Sequence, residues 1–184
     1  MEIKSFDGRV LKTVEGLSLV GVDLHGAGLR EANLYKADLR SANISRADLR
    51  DAKLQGANLE KANLRSAKLQ GANLEKANLR SANLSGANLY RTWLIKADLS
   101  GAELQGADLS EASLYGVSLR DANLAEADLS EVNLRDADLS GAGLSGAGLY
   151  EANFRGANLR GTGLTKEVLS AQDAVFDWHT KFGK

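Results

Sequence analysis

Residues of the types that catalysis or metal binding needs are present in this chain, but their spacing does not gather them. There are two histidines, His25 and His179, far apart in the chain, and no cysteine. Disulfides and thiolate metal sites are therefore excluded. No metal-ligand spacing, phosphate loop or nucleophile motif is present. Serines such as Ser41, Ser66 and Ser81 recur at one position of a short repeat, where they read as turn residues. The run GAGLSGAGL from Gly141 to Leu149 has the glycine content of a nucleotide loop, but Leu144 and Leu149 stay in register with the leucines around them. Catalysis needs groups converging in a concave site. The expectation is a non-enzymatic protein with no cofactor and no metal.

The elements that would position any such group follow from one period. Leucine recurs every five residues from Leu19 to Leu164, replaced only by Ile44 and Phe154. Two residues before each leucine stands alanine, with Leu17, Val22, Thr92, Val117, Val132 and Thr162 as the exceptions. Asn or Asp usually lies between, and two polar, charged or glycine residues follow, giving about 30 pentads in one register. A helix turns roughly 100° per residue, so leucines five apart would spiral around it and form no stripe. A plain strand alternates with period two, so an odd period would send successive leucines to opposite faces. The pattern is satisfied if each pentad is a short extended piece plus a corner. Ala and Leu then point inward, Asn or Asp points outward, and the last two residues turn the chain. Stacked coils would pair their backbones at about 4.8 Å.

Composition agrees. Hydrophobic residues are 43% of the 184, but aromatics only 5%, so the core must be built of Ala and Leu. Proline, which cannot donate to a continuous backbone ladder, is absent. A formal net charge of −1 indicates neither a nucleic-acid binder nor a strongly acidic decoy. The first residues, MEIKSFDGRVLKTVEG, hold no apolar run of signal-peptide length, and no stretch is long enough for a membrane span. The expected location is cytoplasmic.

Runs such as ANLEKANLRSANLSGANL resemble the pentapeptide-repeat family, whose motif is Ala, Asp or Asn, Leu, and two variable residues. The resemblance implies an all-β chain, a right-handed quadrilateral parallel β-helix with four pentads per coil. The periodicity argument itself leaves the number of sides open. Four sides give about 7 coils and a rod roughly 35 Å long. The expected organisation is an N-terminal cap over 1–16, the β-helix over 17–166, and a capping α-helix and tail over 167–184. Residues Lys53 to Ala67 repeat as Lys68 to Ala82. A three-pentad duplication rotates the same residues onto a different face, which suits a structural rather than a recognised segment. Some family members resemble duplex DNA in shape and charge and act on DNA gyrase, the quinolone-resistance type. Those are acidic along the rod and several interrupt the coils with loops. This chain shows neither feature, so that function is the alternative to a protein-interaction solenoid.

With four pentads per coil, residues 20 apart share a face. One face then collects Lys36, Lys53, Lys76, Lys96, Arg135 and Arg155. Its neighbour carries an acidic column of Asp108, Glu111, Asp128, Glu131 and Glu151. The column is a salt-screened solvated face, a contact for a basic partner or, as the least favoured reading, a metal-binding surface. The pentad Thr92–Lys96 departs most from the pattern, placing Trp93 and Ile95 outward. Tyr115 stacks one coil beyond, with Tyr90 and Arg91 on the adjacent face. Trp93, Ile95, Lys96, Tyr90, Arg91 and Tyr115 are the candidate partner-binding residues, against the alternative of a local aromatic clasp. A stacked core leaves apolar ends. Ile3, Phe6, Val10, Leu11 and Val14 would close one in an irregular or strand-like cap. At the other, Val168, Leu169, Val175 and Phe176 have helical spacing, with Trp178 finishing the cover. That end either caps the rod or also joins two rods in a homodimer, as the resemblance implies for some members.

Overall fold

The computed structural model describes residues 1–16 and 18–183. Leu17, the first exception at the small position, and the terminal Lys184 of the expected tail lie outside the described residues. From Asp23 to Asn158 the chain is a parallel ladder in which each outward residue bridges the one 20 further on, as in Asp23 to Asn43 and Asp138 to Asn158. One coil is thus four pentads, and the rod has four faces. Face 1 holds the pentads beginning at Ala27, Ala47 and onward. Face 2 holds those from Ala32, face 3 those from Ala37, and face 4 those from Val22.

Where the outward residue is Asn or Asp, an inner pentad of the rod can satisfy all five of its amide donors, as a buried backbone requires. The Leu29 N–H donates to the Asp48 carbonyl at 2.7 Å, and the Asp48 N–H to the Ala27 carbonyl at 2.9 Å. The second corner residue also donates upward, Glu31 to Arg50 at 2.8 Å, and the next alanine closes the turn, Ala32 to the Leu29 carbonyl at 3.0 Å. The N–H left over belongs to the first corner residue. The outward Asn or Asp accepts it: Ser85 donates to Asn83 Oδ1 at 3.0 Å and Ser130 to Asp128 Oδ1 at 2.9 Å. This is an Asx turn, and it explains why the middle of the motif is Asn or Asp and not any polar residue. The second corner residue has positive φ, 53° at Lys36 and 63° at Gly86 alike, as the third position of a type II turn demands. Inside, the stacked leucines and alanines of the rod are almost wholly buried.

At the N-terminus β1 (Glu2–Lys4) and β2 (Val10–Thr13) form an antiparallel hairpin. It takes the place of a coil: the Asn33 N–H donates to the Lys4 carbonyl at 2.8 Å, and Ser5 bridges Ala32 antiparallel. Ile3 and Val14 are buried against the core and Leu11 is partly covered, whereas Phe6 and Val10 stay exposed.

The C-terminal end differs from the expected arrangement. Helix α1 spans only Lys166–Ser170, capped by the Thr165 hydroxyl, and buries Leu169 while leaving Val168 exposed. Val175 is not helical. It bridges Asn153, donating to the Ala152 carbonyl at 2.8 Å, and Lys181 bridges Asn158. The chain resumes the ladder after one helical turn, with Ala174 and Thr180 in the alanine position and Phe176 and Phe182 in the leucine position. Their rings meet edge to face at 5.7 Å. The Ala-x-Phe and Thr-x-Phe spacings carry this signal in the sequence, masked because one extra residue separates them. Trp178 does not finish the cover. It stands at the turn after Phe176, is 86% exposed, and lies against His179 with ring centroids 3.3 Å apart.

Candidate interaction surface

The pentad at Thr92 is held by the same ladder as its neighbours, so its substitutions change the surface and not the path of the chain. Thr92 is fully buried where alanine is usual, and its hydroxyl donates to the Leu69 carbonyl at 3.0 Å, leaving no unpaired polar group. Trp93 takes the outward position of Asn and is 56% exposed. Ile95 is half-buried at the following corner. Tyr115 lies one coil on, its carbonyl accepting from the Lys96 N–H at 2.9 Å, and its side chain is exposed. Trp93, Ile95, Lys96 and Tyr115 are therefore brought together on face 2.

Tyr90 and Arg91 occupy the corner between faces 1 and 2. The Tyr90 hydroxyl donates to Glu111 Oε1 at 2.8 Å and Arg91 Nε to Glu111 Oε2 at 2.7 Å, while the Arg91 guanidinium lies 4.8 Å from the centre of the Tyr90 ring. The Arg91 hydrogen bond, and then that of Tyr90, hold the Glu111 carboxyl below its ordinary range. The bond to Glu111 pushes the Tyr90 phenol up.

The acidic column is consequently not uniform. Glu111 is paired, and Asp108 accepts the Ser110 N–H at 3.0 Å and its hydroxyl at 2.6 Å. Asp108 and Asp128 serve their turns. Glu131 and Glu151 stand exposed at the left-handed corner position, with φ of 56° and 54°. Aromatic residues missed in the sequence extend the face-2 patch toward the N-terminus. The Lys36 amine lies 5.1 Å from the centre of the Tyr35 ring, and the Lys53 amine 4.8 Å from that of Phe6. Reading positions modulo 20 places Tyr35 directly in the Ile95 and Tyr115 column. At the C-terminal end of the rod Leu164, Thr165, Lys166 and Phe182 border a shallow apolar hollow.

The chain matches the family model of pentapeptide repeats, in 8 copies, over residues 15–46, 42–80, 57–94, 82–121 and 122–161. Among solved structures it is similar to HetL, a pentapeptide repeat protein involved in heterocyst differentiation regulation from the cyanobacterium Nostoc sp. strain PCC 7120. The identity is 30%, over 89% of this chain and 87% of that one, with a TM-score of 0.37. It is also similar to QnrB1, a plasmid-mediated fluoroquinolone resistance protein, at 18% identity over 90% and 91% of the two chains and a TM-score of 0.41. A third is a pentapeptide repeat protein from the Arabidopsis thaliana thylakoid lumen, 27% identical over 66% and 74%, with a TM-score of 0.24. No curated protein matches the chain significantly. With the repeat model covering most of its length and a 30% identical relative aligned along nearly all of it, the chain belongs to the pentapeptide-repeat family.

Proposed function

We propose that this protein is a non-enzymatic scaffold that presents its faces to a protein partner, with the patch around Trp93 as the contact. The observation that carries the reading is Trp93 itself, more than half exposed beside Ile95 and Tyr115 on a backbone whose ladder fixes their spacing. A large aromatic held outward on a rigid face loses little entropy on binding, which is the makeup of an interface anchor. Tyr90, Arg91 and Lys96 would form the polar rim. The right-handed sense of the coil and a cytoplasmic location belong to the same proposal and rest on the family pattern. No helix among the described residues is long and apolar enough to cross a membrane. The gyrase-directed alternative draws no support from the surface, where faces of opposite sign balance to a net charge of −1.

The reading is tested by placing a photo-crosslinking amino acid at position 93 or 115, and at positions 63 or 83 of face 4, in cells that make the protein. Adducts specific to face 2, rebuilt with the purified partner, are expected. Equal adducts from both faces would refute the assignment. Pairing of rods through the C-terminal hollow is tested separately by sedimentation, where a monomer at all concentrations removes it.

A further inference from the structure

The aromatic residues are not spread around the rod. Trp93 lies on face 2, Tyr35 and Tyr115 occupy its corner with face 3, and Trp178 follows the last bridge of face 2. Tyr90 and Tyr150 occupy the corner between faces 1 and 2, and Phe6 packs at the same corner, its N–H donating to the Glu31 carbonyl. All four tyrosines and both tryptophans of the chain therefore border one face. Among the described residues, faces 3 and 4 carry no Phe, Tyr or Trp in their outward positions.

Most cations of the same face lack an ion pair. Of Lys36, Lys53, Lys76, Lys96, Arg135 and Arg155, only Lys76 makes an ion pair among the described residues, with Glu75 at 3.1 Å. Most arginines of faces 1 and 3 are matched, whereas Arg46, Arg65 and Arg160 also lack an ion pair among the described residues. On face 3 Arg40, Arg80 and Arg120 meet Asp38, Asp98 and Asp138, and on face 1 Arg50 and Arg91 meet Asp48 and Glu111. Face 2 sets these six cations against only Glu75 and Asp136, an excess of positive charge that no other face has, and among exposed rings it suits a negatively charged partner.

We propose that face 2 is a docking surface for an acidic polypeptide segment lying along the rod, its carboxylates facing the unpaired cations and its apolar side chains resting on Trp93, Ile95 and Tyr115. This deepens the scaffold reading above and rests on it. From the coil of Tyr35 to that of Val175 there are seven ladder steps, about 34 Å at the usual strand spacing, the length of an extended segment of roughly ten residues. A protein segment fits better than a nucleic acid. Single strands bind by stacking bases on open rings, but Lys36, Lys53 and Arg91 lie over Tyr35, Phe6 and Tyr90, and His179 lies against Trp178. Glu131 and Glu151 at the bordering corner would also repel a phosphate backbone.

The test uses the full chain and a fluorescein-labelled random glutamate–tyrosine copolymer, followed by anisotropy at low and high salt. Two triple variants change the net charge equally: Lys96→Glu/Arg135→Glu/Arg155→Glu on face 2, and Arg46→Glu/Arg65→Glu/Arg160→Glu on faces 3 and 4. The face-2 triple is expected to weaken binding by about tenfold or more and Trp93→Ala by about threefold, while the other triple stays within about twofold. Circular dichroism checks that each variant is folded. Should the face-2 triple not fold, the single variants Lys96→Glu and Arg155→Glu, both exposed, are expected to show the same direction. The proposal is overturned by no copolymer binding to the parent chain, or by equal loss in the two triples. Tighter binding of oligo-dT with the same face dependence would overturn it in favour of a nucleic acid. A self-association that the face-2 triple abolishes would do so in favour of a second copy. Face-2 crosslinking to a partner that the copolymer does not displace leaves the scaffold reading standing and removes this one.

Discussion

At the scale of the residue, each motif position has one physical task, and the tasks differ sharply in cost. Leu84 is fully buried between coils, whereas the neighbouring Asn83 faces out and caps the Ser85 N–H. Leu84→Lys should therefore lower the free energy of unfolding by more than about 4 kcal/mol, because it buries an unpaired charge. Asn83→Ser should cost under about 1 kcal/mol, the value of one half-buried hydrogen bond that serine partly restores. Urea unfolding measures both, and equal losses would mean that inside and outside are reversed. The corner glycines separate in the same way. Gly106 and Gly141 both have positive φ, 62° and 73°, but a Cβ at Gly106 meets nothing within 4 Å while one at Gly141 collides with the Asp121 carboxylate. Gly106→Ala should cost about 1 kcal/mol from the left-handed conformation alone. Gly141→Ala should cost more, and Asp121→Ala should remove the excess. Similar losses in the two single variants would show that the Asp121 side chain swings aside freely.

At the scale of the element, a five-residue helix cannot seal the rod, and most of the C-terminal cover is ladder. Val175 and Lys181 donate to Ala152 and Ala157 at 2.8 and 2.9 Å, and Phe176 and Phe182 replace the leucines of an ordinary coil. Truncation after Lys166 should uncover Phe154 and Leu159, both fully buried. The expected loss is about 1.5–3 kcal/mol for each side chain fully exposed, with end-to-end aggregation as the concentration rises. Thermal unfolding and light scattering measure the two effects. A truncated chain as stable and soluble as its parent would show that the last coil does not hold the end.

At the scale of the whole molecule, charge sets the response to pH. Hydrogen bonds from Arg40, Arg50 and Arg91 hold the carboxyls of Asp38, Asp48 and Glu111 below their ordinary values of 3.8, 3.8 and 4.5. A carboxyl depressed in the folded state takes up protons later than in the unfolded chain. Its contribution is complete above the ordinary value and is lost as pH falls through the depressed one. The melting temperature should therefore be level from about pH 7 to pH 5 and decline below about pH 4. These pairs are largely solvent-exposed, so high salt should shrink the decline. Replacing the three arginines with glutamine should lessen the decline, and an unchanged profile would place the acid sensitivity elsewhere.

Period five and the residues that keep it determined the class of fold without any tertiary information. An odd period incompatible with helix and plain strand leaves a coil of short extended pieces, and Ala and Leu two apart must share its inside. The patch at Trp93 was legible for the same reason, since an aromatic in the Asn position can only point outward. The tertiary structure decided what depends on the return distance of the chain. Only the 20-residue bridge sets which residues stack, and with it the gathering of Tyr35, Trp93, Tyr115 and Trp178 along one face. The acid column was visible as composition, but its pairing was not, because Glu111 meets Arg91 and Tyr90 across coils. At the C-terminus one inserted residue hides the two last rungs from a periodic reading, while backbone hydrogen bonds, which ignore side-chain spacing, restore them.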